Sequence, residues 1–312
     1  MRISKTSRLL GVLTAVAVAS YAAPAAMAGT VPEASPTRAA SVVDEAAGRQ
    51  AVDVGAGVDG LSAPASAAPG PITFRVSTSH ARHGHVGLVR LNPGVSLETF
   101  VPHLVRALSH DPEDVKAGGR ALTRDGEFLG GAATVPGKTV SFSLVLQPGT
   151  YYLIDFLDFE TATPAGPDRV RALTVAGRPA TGETPRPEAV IASVPGTNPR
   201  FVAPARIRPG APLLVVNLLP GQVNEAILYP VPAGTTDAQL ADFFRALDKG
   251  EWSAPPFDTA AGLGATPLSP GRSLVLEAPV TPGRYALVTW VHDIGDAHRL
   301  GAKGVHGLID VE

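Results

Sequence analysis

The 312-residue sequence contains no cysteine, and its only two methionines are Met1 and Met27. Without cysteine the chain can form no disulfide and can offer a metal ion no thiolate. A formal net charge of −2 gives no electrostatic footprint for nucleic acid or an anionic membrane. Beyond the N-terminal region no run of residues is long and apolar enough to predict a membrane-spanning helix.

The first 28 residues have the order of a secretory signal peptide. Arg2, Lys5 and Arg8 precede an apolar run at 9–19, and small residues follow up to Ala28. This order predicts cleavage after Ala28 and a secreted, extracellular protein with no membrane insertion after cleavage. Removal of residues 1–28 leaves 23 basic against 28 acidic residues, a formal net charge of −5. Residues 29–50 are small and polar, which predicts a flexible leader.

Glycine and proline are abundant, with 33 and 30 residues, which favours short strands joined by tight turns. One phrase occurs twice, PGTYYLIDF at 148–156 and PGRYALVTW at 282–290, each with another Pro-Gly twelve residues earlier. Upstream, Gly94 aligns with Gly234, and each precedes a segment with helical periodicity. Each copy therefore predicts two strands, a short helix, a Gly-rich loop, two more strands and a final strand.

The repeat predicts a mainly β protein built of two consecutive β-sandwiches, each with a short helix. We place the first domain at 51–176 and the second at 187–312. The segment between them, 177–186, is rich in Gly, Pro and Thr, as linkers are.

The strand order, the helix after a glycine and the stretch PGRYALVTWVHDIGDAHRLGAKGVHGLIDV at 282–311 resemble the cupredoxins, secreted blue-copper-type Greek-key β-sandwiches. Tandem cupredoxin-like domains of bacterial secreted proteins are the most similar in pattern. The resemblance implies a copper site of two imidazoles, one thiolate and a weak axial thioether. By this resemblance, the thiolate positions fall on Asp155 and Thr289, and the axial position falls on Val305. The first imidazole positions fall on Gly84 and Asn224. His298 alone keeps the residue type of a copper ligand.

A type-1 copper site is therefore argued against in both domains, since a thiolate is needed and neither copy has one. His85 is one residue from the imidazole position at Gly84. On a strand, a shift of one residue turns a side chain to the other face of the sheet.

Two groups of histidines are candidates for a different metal site. The first is HARHGH, with His80, His83 and His85, and the second lies in the terminal loop, with His292, His298 and His306 beside Asp293 and Asp296. Such imidazoles could bind Cu(II) or Zn, although solvated polar loops explain them equally well. If the two loops met, the groups could share a site.

No catalytic motif is recognised, and we predict a protein that is not an enzyme. Asp155, Asp158, Glu160 and Asp168 could serve a glycosidase, but a solvated loop rim explains them as well. Of the two tryptophans, Trp252 and Trp290, the second lies in an apolar strand and is expected in the core. The predicted function is a secreted, non-enzymatic binding or structural protein with degenerate copper sites and an extracellular ligand or protein as its partner. The alternative is an extracellular metal-handling protein that binds Cu(II) or Zn through surface histidines.

Overall fold

The computed structural model describes residues 42–44, 49–157, 169–251 and 253–312. The predicted signal peptide, most of the predicted leader, Asp158, Glu160, Asp168 and Trp252 lie outside the described residues. All described residues belong to one compact unit. Within it, no helix has both the length and the apolar character that crossing a bilayer requires.

The described residues contain nineteen strands, three α-helices and a short 3-10 helix at Thr259–Ala261. The strands are β1 Val42–Asp44, β2 Arg49–Gly57, β3 Gly60–Ser62, β4 Ser66–Ala67, β5 Gly70–Thr78, β6 Gly84–Leu91, β7 Gly126–Thr134, β8 Val140–Leu146, β9 Gly149–Asp155, β10 Val170–Val175, β11 Ala189–Val194, β12 Arg200–Val202, β13 Arg206–Ile207, β14 Leu213–Asn217, β15 Asn224–Val231, β16 Leu263–Leu268, β17 Ser273–Glu277, β18 Gly283–Val288 and β19 His306–Val311. The helices are α1 Leu97–Ala107, α2 Pro112–Asp125 and α3 Asp237–Asp248. We call β1–β10 with α1 and α2 half 1, and β11–β19 with α3 half 2.

The strands form two sheets that face each other. One runs β1-β2-β5-β8-β17-β14-β11-β12, with β3 paired to β2, and is called the nine-stranded sheet. The other runs β13-β19-β18-β15-β16-β7-β6-β9-β10-β4 and is called the ten-stranded sheet. Strands alternate buried and more exposed residues, and one cluster of aliphatic and aromatic side chains from both halves fills the space between the sheets. The predicted fold class, two consecutive cupredoxin-like Greek-key β-sandwiches, is confirmed.

The two halves are joined through both sheets. In the nine-stranded sheet β8 pairs with β17, and in the ten-stranded sheet β7 pairs with β16, both antiparallel. Phe142 and Leu276 are directly opposite each other, and each lies five residues after the glycine of its Pro-Gly pair. Equivalent residues thus meet each other, which is the pattern of a two-fold axis. Both partners of this symmetric junction belong to the same chain.

The helices begin where the sequence supplies capping residues. The Ser96 hydroxyl accepts from the Thr99 amide at α1, and Thr236 forms a capping box with Gln239 at α3. Phe100 and Leu104 of α1 and Leu122 of α2 pack with Phe128 and other apolar residues of the ten-stranded sheet. The helices therefore cover the outer side of that sheet.

Half 1 differs from the prediction of one short helix per copy, because part of the predicted Gly-rich loop is α2. Asp111 caps this helix, accepting from two backbone amides, and Pro112 occupies its first turn. The glycines at 118 and 119 weaken the helical pattern in the sequence, since glycine is a poor helix former. They are needed for close packing, because a Cβ on Gly118 would lie 2.4 Å from the Ala107 nitrogen of α1.

We expect Gly118→Ala to lower the free energy of unfolding by roughly 1–3 kcal/mol, because the added methyl meets backbone atoms that cannot rotate away. Chemical denaturation followed by circular dichroism measures it. Gly234→Ala is the matched control, since a Cβ there has no neighbour within 4 Å. Equal stability of the Gly118 variant and wild type would contradict the packing of α1 on α2.

Candidate functional site

Asp155 ends β9 at the position that the resemblance assigns to a thiolate. Its strand partner is Val86, and both side chains are completely buried between the sheets. The Asp155 carboxylate oxygen Oδ2 lies 3.2 Å from Nε2 of His80. A buried carboxylate next to an imidazole thus occupies this end of half 1.

Gly84 holds the first imidazole position in half 1, and its surroundings are closed. A Cβ on Gly84 would lie 2.9 Å from the Thr78 side chain and 3.3 Å from the Ala56 methyl. An imidazole therefore has no space there. As the one-residue shift predicts, His85 follows on the other face of β6, while the next residue, Val86, is again buried between the sheets.

His83 and His85 lie side by side outside the sandwich interior. Their ring centroids are 4.9 Å apart, and Nδ1 of His83 is buried with no hydrogen-bond partner within the described ranges. Burial lowers the pKa of His85 to about 3, and repulsion from His83 adds to the effect. The pKa of His83 is also lowered, by burial and then by the charges of Arg82 and His80. Both imidazoles are disfavoured in their charged form.

The equivalent end of half 2 is packed. Asn224 is buried, and its Nδ2 donates to Oγ of Ser193 at 2.7 Å, whereas its Oδ1 has no hydrogen-bond partner in the described part of the chain. Thr289 is completely buried, and its Oγ1 accepts from the Val291 amide at 3.1 Å. Val305, the axial position, is completely buried in an apolar cluster that also includes Leu219 and Leu300.

The histidines of the terminal loop have separate partners. His298 is on the surface, with Nδ1 2.6 Å from the Asp248 carboxylate at the end of α3. His306 has Nδ1 2.8 Å from the Gly301 carbonyl oxygen, and its ring stacks on Phe244. Burial lowers the pKa of His292 to about 4, with a further contribution from Arg299.

The remaining polar residues of the loop hold it together. Nζ of Lys303 lies 2.5 Å from the Asp293 carboxylate and 2.7 Å from the Asp296 carboxylate. Ile294 fits against α2, with Cγ2 2.4 Å from where a Cβ on Gly119 would lie. The terminal loop of half 2 thus rests on a helix of half 1.

The first histidine loop borders a groove between the two halves. Ala81 and Arg82, between His80 and His83, line a groove of about 300 Å³ together with Ala260, Ala261 and other residues of half 2. Across the described ranges, no group of three or more His, Asp or Glu side chains is arranged to hold a metal ion.

The sequence predicts Trp290 in a strand of the core, but this residue follows β18 and is half-buried against the apolar cluster that contains Phe244. Its Nε1 donates to the Tyr229 hydroxyl at 3.0 Å, and its ring contacts Phe243, Phe244 and Phe257. Asp248 and Ser193, which form hydrogen bonds with His298 and Asn224, are not predictable from the sequence, because no local pattern links residues that are 50 and 31 positions apart.

Comparison with solved structures finds copper proteins. Auracyanin A, a blue copper protein from Chloroflexus aurantiacus, is 17% identical with a TM-score of 0.29, over 41% of this chain and 99% of that one. A multicopper oxidase is 11% identical with a TM-score of 0.22, over 85% of this chain and 89% of that one. A copper-containing nitrite reductase from Thermus scotoductus is 12% identical with a TM-score of 0.22, over 85% and 61%. No protein-family model and no curated protein matches the chain.

The fold is cupredoxin-like. Its strands form two facing sheets, each continuous through both halves of the chain. The cupredoxin-like sandwiches carry no cysteine, so neither end has the thiolate of the blue copper proteins.

We expect the free energy of unfolding to decrease as the pH is lowered, and part of this decrease to come from His85. Its folded-state pKa of about 3 lies below the unfolded value of 6.5. A lowered pKa means that the unfolded chain binds more protons than the folded one. The contribution of His85 to the free energy of unfolding is therefore fully present above pH 6.5, and it decreases as the pH falls below that value. The slope approaches about 1.4 kcal/mol per pH unit for one histidine.

Urea denaturation of wild type and His85→Gln at pH 8, 6 and 5 measures the effect. The difference between the two proteins at pH 8 is the control for lost packing. The slope should be shallower in His85→Gln, and identical slopes in the two proteins would contradict the lowered pKa of this ring.

Proposed function

We propose that this chain is a secreted, non-enzymatic binding or structural protein whose cupredoxin-like sandwiches carry degenerate copper sites. The observation that carries the proposal is the packed end of half 2, where Asn224, Thr289 and Val305 are all buried. Asn224 Nδ2 and Thr289 Oγ1 form hydrogen bonds within the protein and Val305 packs in an apolar cluster, so these side chains are placed as core residues. Export is inferred from the signal-peptide pattern at 1–28.

The chemistry of the donor atoms supports the same proposal. Blue copper sites depend on a soft thiolate, whereas Thr289 offers a hydroxyl and Asp155 a hard carboxylate. His298, the retained ligand type, is hydrogen-bonded to Asp248 at the surface. An extracellular protein or small ligand is the proposed partner.

Copper loading tests the proposal directly. We expect Cu(II) to produce no intense visible absorption band in the purified protein, because no copper–thiolate bond can form. Visible and electron paramagnetic resonance spectra should be the same for wild type and Thr289→Val, since the half 2 end takes no part in binding. Circular dichroism verifies that Thr289→Val is folded. Stoichiometric copper binding that is lost in Thr289→Val but kept in His80→Ala would overturn the degenerate-site proposal.

A second candidate function, extracellular metal handling, is favoured by the first histidine loop. His80 lies 3.2 Å from the buried Asp155 carboxylate, and His83 has a buried Nδ1 without a partner in the described part of the chain. A carboxylate with imidazoles suits Cu(II) or Zn. Because the three side chains are not arranged as a finished site, we expect modest affinity.

Calorimetric titration with Cu(II) and with Zn at pH 7.5 tests this second function. Binding should weaken at least tenfold in His80→Ala and in His83→Ala, and it should be unchanged in the matched control His298→Ala. Affinity should also fall with pH as protons compete for the imidazoles. Absence of binding in wild type, or loss of binding only in His298→Ala, would exclude the first loop as a metal site.

A further inference from the structure

The groove between the two halves combines an apolar lining with two cationic side chains. Its volume is about 300 Å³, and the cations are Arg82 and Lys138. Among the described residues, no Asp or Glu lines the groove with them. The apolar part of the lining includes Val135, Pro136, Pro230, Ala261, Leu263 and Tyr285. A concave site of this kind, mostly apolar with a few polar groups, is typical of small-molecule binding.

The two cations have no acidic partner within the described ranges. Nζ of Lys138 lies 3.3 Å from the carbonyl oxygen of Pro279, which is a neutral acceptor. Arg82 is exposed at the rim of the groove. A cleft lined by charges of one sign concentrates ions of the opposite sign, so this groove attracts anions.

The two-fold relation between the halves shows what Lys138 lacks. Lys138 and Arg272 are equivalent residues, since each directly follows a Pro-Gly pair. Arg272 forms an ion pair with Glu127 across the junction between the halves. Glu127 and Ala261 are also equivalent, since each lies nine residues before its Pro-Gly pair. Ala261 therefore stands where Lys138 would otherwise meet a carboxylate.

The same comparison explains why the groove is open. Arg90 and Pro230 are equivalent, since each lies four residues before the aligned glycine of its half. In half 1 the guanidinium carbon of Arg90 lies over the Tyr151 ring, 6.0 Å from its centroid. In half 2 the strand partner of Tyr285 is Pro230. Two long charged side chains are thus replaced by a proline and by Ala261, which leaves space beside Tyr285.

We propose that this groove binds a small organic acid. The carboxylate of the ligand pairs with Lys138 and Arg82, in the way that the Glu127 carboxylate pairs with Arg272. The apolar part of the ligand lies against Pro230 and Tyr285. A volume of about 300 Å³ is at the lower end of the range for small-molecule sites, so the ligand is compact. The inference rests on the proposed binding function and deepens it, because it names the class of ligand.

Benzoate, a carboxylate on a compact apolar ring, is a suitable ligand for the test. Titration of the ¹⁵N-labelled mature chain, followed by amide chemical shifts in the presence of EDTA, measures both affinity and location. Wild type should bind with a Kd on the order of 1 mM, and the largest shifts should include Arg82, Lys138 and Ala261. Benzamide lacks the charge and acetate lacks the apolar ring, so each should bind at least about fivefold more weakly.

Three variants and a matched control assign the binding to the groove. Lys138→Gln and Arg82→Gln should each weaken benzoate binding at least about threefold, because each removes one charge-assisted contact. Ala261→Glu supplies Lys138 with the carboxylate that Arg272 already has, and it should abolish binding. Arg272→Gln removes the equivalent cation outside the groove and should bind benzoate like wild type.

The outcomes separate this inference from the proposed function. Absence of shifts at the groove in wild type, or equal affinity for benzoate and benzamide, would refute the inference. Folded Lys138→Gln and Ala261→Glu proteins that bind benzoate as wild type does would refute it as well. The copper measurements concern the ends of the sandwiches and are made without benzoate, so the proposed function stands or falls on them independently.

Discussion

The pairing of equivalent strands across the middle of the molecule is the constraint on which the other features depend. Because β8 joins β17 and β7 joins β16, both sheets continue from one half to the other and enclose one apolar core. Backbone hydrogen bonds at this junction fix the register of two strand pairs at once. Each half therefore has a fixed orientation relative to the other. Loops of one half contact the other half, as Ile294 of the terminal loop contacts α2.

The two ends that carry the positions assigned to copper ligands differ between the halves. In half 2, Val305 packs with apolar neighbours at this end. Ile294 of the terminal loop packs against α2. In half 1, the buried Asp155 keeps an imidazole within hydrogen-bonding distance. The end of half 2 thus combines an apolar cluster with buried neutral polar side chains, whereas the end of half 1 holds a buried carboxylate beside an imidazole.

The sequence predicts the repeat because Pro-Gly pairs and the tyrosine after each second pair recur at fixed spacing. It also places Gly84 and His85 on opposite faces of β6, since strand geometry alternates strictly. It does not predict α2, because Gly118 and Gly119 weaken the helical pattern, and only contact with α1 and Ile294 explains them. The pairing of His298 with Asp248 and the joining of the sheets depend on residues distant in sequence, for which one sequence holds no local signal.

The continuous sheets also determine what the protein exposes at its edges. Joining the halves hides β7, β8, β16 and β17 in the middle of the sheets, where their backbone groups are already paired. The outermost strands in the described ranges are β1, β12, β13 and β4, and each is only two or three residues long. Long exposed edges are templates for edge-to-edge aggregation, and short ones offer few unpaired backbone groups to a passing chain. Fusion of the two sandwiches thus removes β7, β8, β16 and β17 from the strand edges available for such pairing.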